Sequence, residues 1–158
     1  MIRPANAFGQ LKRAAVAACL AAAVSPASAT ADEAGWAAWD LLRQIEVKEV
    51  ETPTSWHAEK TFPEELLRST ENFRITGYYM PVQAQAYVTQ FLLVEDPADC
   101  PFCGTGGYGP TLEVELVTPL PDMAPGTEIT VAGTLDLVED PETFQTVRLI
   151  AAQAEQAN

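Results

Sequence analysis

The chain has 158 residues, 9 basic against 22 acidic side chains, one histidine, three cysteines and a formal charge of −13. A surface of that sign repels phosphate backbones and anionic lipid, which argues against nucleic-acid and membrane-surface binding. The length fits one domain with a real core.

The N-terminus reads as an address. Arg3, Lys12 and Arg13 form a basic region, Ala14–Val24 is a short apolar run, and Ala27-Ser28-Ala29 is a small-x-small cleavage site. This is the pattern of a secretory signal peptide over residues 1–29, too short to persist as a spanning helix. Lipidation at Cys19 is the alternative, disfavoured because only Ala14–Ala18 separate Arg13 from the cysteine. Cleavage after Ala29 takes 29 residues from 158 and leaves 129; the 9 basic residues become 6 against 22 acidic, a charge of −16. No other stretch is suited to crossing a bilayer, so the expected location is periplasmic, without stable membrane insertion.

Residues 30–72 are expected to form a helical segment and a connector packed on a barrel. Thr30–Ile45 reads as a helix with Asp32 and Glu33 in its first turn, where the dipole favours negative charge. Trp36, Trp39, Leu42 and Ile45 recur near helical spacing and define one apolar face that covers the core. Val47–Lys60 is polar and reads as a connector carrying His57 beside Trp56. Thr61–Leu67 opens a short helix, with Thr61 or Phe62 at the cap and Pro63 in the first turn, ending near Ser69–Asn72.

From Phe73 the period changes to two, with Phe73, Ile75, Gly77 and Tyr79 on one face until Pro81. Tyr87–Val94 is a second strand. Thr111–Val117 is a third, with Leu112, Val114 and Leu116 inward and Glu113 and Glu115 in water. A loop follows over Pro119–Asp122 and Pro125-Gly126. Thr127–Val138 is a fourth strand, with Ile129, Val131, Leu135 and Leu137 on one face, and Thr143–Ala152 a fifth, with a frayed tail after Gln153. Glycines at 77 and 133 mark bends or close backbone approaches. Five strands without helical crossovers argue against a parallel sheet. The expected fold is mainly β with N-terminal helices: a small five-stranded, OB-like, partly closed β-barrel over residues 73–153. An open sandwich is the alternative.

Phe91–Pro110 carries the chemistry. An apolar strand runs into an acidic turn, Cys100-Pro101-Phe102-Cys103 and a glycine-rich loop over residues 95–110. In an oxidising compartment two cysteines at this spacing are a disulfide, a redox pair or a metal pair. A Cys-x-x-Cys turn points two sulfurs at one tetrahedral site, with Asp99, Asp96 and Glu95 nearby and His57 as a further ligand; zinc or copper suits such donors. An oxidoreductase pair places its first cysteine at a helix N-terminus, and the glycines after Cys103 start no helix. A loop disulfide would brace the loop more than the fold. No G-x-S-x-G, H-E-x-x-H or phosphate-cradling motif occurs, so the sequence points away from an enzyme.

Several ordered pieces resemble a known family: Trp39-Asp40-Leu41-Leu42, Phe62-Pro63-Glu64-Glu65-Leu66, Ile75–Pro81, Phe91-Leu92-Leu93-Val94 leading to Cys100, and Val131–Leu135. Together they are similar to exported bacterial proteins catalogued as domain of unknown function 3299. The resemblance covers most of the chain after the signal. It implies an envelope accessory role beside an ABC-type permease, in some cases with zinc uptake, and supplies no catalytic residue. Cys100 alone carries over. Relatives follow it with a proline-rich or polar segment, so Cys103 stands on its own chemistry.

Overall fold

A computed structural model of the chain describes residues 27–98 and 110–155, with side chains from Glu33 onward. Asp99, Cys100 and Cys103, Cys19 and most of the expected signal peptide lie outside the described residues. The order of elements is α1 (Ala27–Leu42), β1 (Glu46–Glu51), β2 (Trp56–Thr61), α2 (Glu64–Arg68), β3 (Phe73–Pro81), β4 (Tyr87–Val94), β5 (Thr111–Pro121), β6 (Glu128–Leu137) and β7 (Val147–Glu155).

The five later strands close into a mixed barrel in the order β3-β4-β5-β7-β6, with β6 returning to β3. All neighbours are antiparallel except β5 and β7, which run parallel. The OB-like five-stranded barrel expected from the sequence is present, and it is fully closed. Closure follows from the alternation: Phe73, Ile75 and Tyr79 on β3, Phe91 and Leu93 on β4, Leu112 and Val114 on β5, Val131 and Leu135 on β6, and Leu149 on β7 fill the interior.

The two strand glycines sit at close approaches. A Cβ on Gly77 would lie 2.7 Å from the Val94 carbonyl oxygen and 3.0 Å from the Trp39 ring. One on Gly133 would lie 2.7 Å from the Ile150 carbonyl oxygen, where β7 carries an extra residue and Ala151 adopts φ 50°. That bulge resets the alternation, so Leu149 and Ala152 both reach the core.

Helix α1 lies on β3, where β3 lacks a strand partner on one side. β4 pairs only with Tyr78–Pro81, whereas β6 pairs with Phe73–Tyr78. Trp39 takes over part of the missing ladder: its buried indole Nε1 donates to the Thr76 carbonyl at 2.7 Å. Gly35 allows the approach, since a Cβ there would lie 2.2 Å from Thr76 Oγ1.

Several boundaries differ from the sequence reading. The helix already includes Ala27, so Asp32 and Glu33 lie beyond its first turn. Pro63 is the N-cap of α2 rather than a first-turn residue. The polar connector is a β-hairpin of β1 and β2 with Glu46 opposite Thr61. β5 runs on through Pro119 and Pro121, because past an irregularity it pairs with β4 alone and needs no N–H on its other side. β7 starts at Val147, later than Thr143, because the preceding backbone serves the hairpin, and it stays paired to Glu155 rather than fraying.

Candidate functional site

The loop that carries the cysteines springs from two neighbouring strands. β4 ends at Val94, β5 begins at Thr111, and these two residues are ladder partners. The first stem is held in place. Arg43, just past the end of α1, donates to Glu95 and also to Asp40. These carboxylates, Glu95 foremost, hold the guanidinium above its already high pKa, so it stays charged. Asp96 Oδ1 accepts from the Ala98 N–H at 2.8 Å, a local turn that starts the loop.

Beside the second stem lies a groove of about 560 Å³, within the range of ligand sites. Pro110, just before β5, lines it with Thr111 and Glu113 of β5 and Leu92 of β4. The opposite sides are Leu42 to Val47, where α1 passes into β1, and Phe144 to Val147, where the β6–β7 loop enters β7. The lining is mainly apolar and holds a polar pair: Gln145 Nε2 donates to Glu113 Oε2 at 2.7 Å. Glu113 is thus half-buried and engaged, unlike Glu115, which faces water as expected.

The hairpin is locked to the same loop. Lys60 Nζ donates to the carbonyls of Val138 at 2.9 Å and of Asp140 and Gln145 at 2.7 Å. Burial lowers its pKa and Asp140 partly offsets that. The Ala58 N–H donates to the Pro141 carbonyl at 2.8 Å. Trp56 stacks on Phe144 with ring centroids 5.0 Å apart and planes 12° apart, and both rings stay about half exposed.

His57 sits on β2 opposite Val50. Its neighbours along β2, Trp56 and Ala58, face the β6–β7 loop, so His57 occupies the other face of the hairpin. Its Nε2 is 3.8 Å from Glu59. Val47, which lines the groove, is on the face opposite to His57. Of the sequence-identified donors, Glu95, Asp96 and His57 lie among the described residues; Glu95 is engaged by Arg43, and His57 sits on the hairpin, away from the stem that carries the two carboxylates. Among the described residues no group of three or more His, Cys, Asp and Glu side chains gathers as a metal site. Arg43, Glu113, Phe144 and Gln145 escape a reading by motif, because each is a single residue on a different element. The one available hint is a large aromatic ring in each of two polar stretches, Trp56 and Phe144.

No helix among the described residues is long and apolar enough to cross a membrane. Comparison with protein-family models, with curated proteins and with solved structures finds no match to this chain.

Proposed function

We propose that this is an exported, periplasmic binding and accessory protein of an envelope transport system, not an enzyme, and that it handles zinc or copper through Cys100 and Cys103. The observation that carries the reading is the placement of the loop's stems. They leave adjacent strands of a closed barrel, one tied to α1 through Arg43 and Glu95, the other lining the groove. Two cysteines at Cys-x-x-Cys spacing, carried between fixed stems, suit reversible capture of a soft cation. Asp96 and Asp99 are the nearest further donors along the chain, while His57 belongs to the hairpin. The acidic surface attracts cations towards such a loop. The resemblance to the exported family supports an ABC-type permease as the partner.

The test is a zinc titration of the reduced protein against a chromophoric chelator. One equivalent should bind, and the Cys100→Ser/Cys103→Ser variant should not compete. Binding unchanged in that variant, or none in the native chain, overturns the metal reading. His57→Ala reports separately whether the hairpin supplies a ligand.

A further inference from the structure

Each barrel strand has two strand neighbours, but β1 of the hairpin has one. In an antiparallel pair, opposite residues alternate between exchanging both backbone bonds and turning both outward. Ala58 turns its N–H outward to the Pro141 carbonyl. Its ladder partner Glu49 therefore also turns outward, on the other side of the hairpin, and so do Val47 and Glu51 two residues either way. β1 pairs with β2 alone, and among the described residues nothing bonds to these outward groups. Five of the six β1 residues are exposed, and Val50 is half-buried.

The same three residues share the hairpin face of Trp56, Ala58 and Lys60, their ladder partners. Val47 lines the groove. A strand added beside β1 would set one side chain next to Val47 at the groove and two others against Glu49 and Glu51. The chemistry at those positions is apolar, then anionic twice, on a chain of net charge −13.

We infer that the outer edge of β1 is a docking site for an extended, basic segment of a partner protein, which adds as a third strand and places an apolar residue at the groove beside Val47. Main-chain bonds supply affinity, and alternate side chains supply selectivity. A second copy of this chain fits poorly. The two-fold register that uses all three outward residues sets Glu49 against Glu49, a like-charge pair at the symmetry axis.

The probe is a synthetic peptide whose alternate residues are lysine, lysine and leucine, separated by threonines. It is titrated by fluorescence anisotropy into the full chain carrying Cys100→Ser and Cys103→Ser, so the outcome does not depend on the metal reading. Saturable binding is expected, with new hydrogen-exchange protection at Val47, Glu49 and Glu51. Glu49→Pro removes an outward donor while leaving the β1–β2 bonds, and should weaken binding about tenfold. N-methylation of alternate peptide amides is a second arm that leaves the protein untouched, and should abolish binding. Equal binding of the methylated peptide, or no protection on β1, overturns the proposal by showing attraction through charge alone. Self-association of the chain that Glu49→Pro abolishes also overturns it, because a second copy would then be the occupant.

Discussion

Tyr79 shows how one side chain serves core and rim together. Its ring is fully buried against Phe91, with centroids 5.0 Å apart, yet its hydroxyl reaches the barrel end and donates to Asp122 Oδ1 at 2.6 Å. Burial, then the hydrogen bond to Asp122 and that residue's charge, push its pKa above the ordinary 10.0. The folded state therefore holds this proton more tightly than the unfolded state does. The stabilisation is complete below pH 10 and is lost as pH rises above it towards the folded value. Tyr79→Phe should cost about 1–2 kcal/mol at neutral pH and should flatten the loss of stability above pH 10. Urea melts at pH 7, 10 and 11 check both statements; an equally steep alkaline loss in the variant would assign that loss to other groups. Ala151 shows the opposite economy. A non-glycine residue at φ 50° is a small local strain, accepted because the bulge returns Ala152 to the core.

At the scale of elements, the hairpin depends on one ammonium. Lys60 satisfies three carbonyls of the β6–β7 loop, and Lys60→Met keeps the aliphatic stem while removing all three bonds. The expected effect is local: about 2 kcal/mol less protection for residues 56–61, with the barrel strands unchanged. Amide hydrogen exchange resolved along the chain measures it, and a uniform loss across β3 to β7 would contradict it. This element is also where the sequence was hardest to read. Strands β3 and β4 were legible to the residue, because Phe73, Ile75 and Tyr79 alternate around a buried face of β3 and β4 ends in the largely buried apolar run Phe91–Val94. EVKEVE and WHAEKT have almost no buried face, so the period that betrays a strand is missing. Their pairing rests on long-range contacts with the β6–β7 loop, nearly 80 residues on for Lys60 and Val138. The same contacts delay the start of β7. The cysteine loop was legible as a motif, whereas the groove was not, because its lining converges from α1 and the turn after it, β1, β4, the start of β5, the end of the β6–β7 loop and β7.

For the whole molecule, closure is the governing fact. Every strand of the barrel has two strand neighbours, so among the described residues the hairpin strands are the ones with a single strand neighbour. It also makes the cysteine segment an interchangeable cassette. Val94 and Thr111 face each other across one ladder, so residues 95–110 bridge a gap that a short Asn-Gly turn also bridges. A chain with that replacement should fold to the same barrel, with a melting temperature within roughly 5 °C of the native one, since shortening a loop lowers its closure cost. Circular dichroism melts test this, and failure to fold would mean that the segment organises the barrel. Success would make fold and insert separately heritable: the barrel could keep its sequence under selection for packing while the insert between Val94 and Thr111 drifts in length and composition.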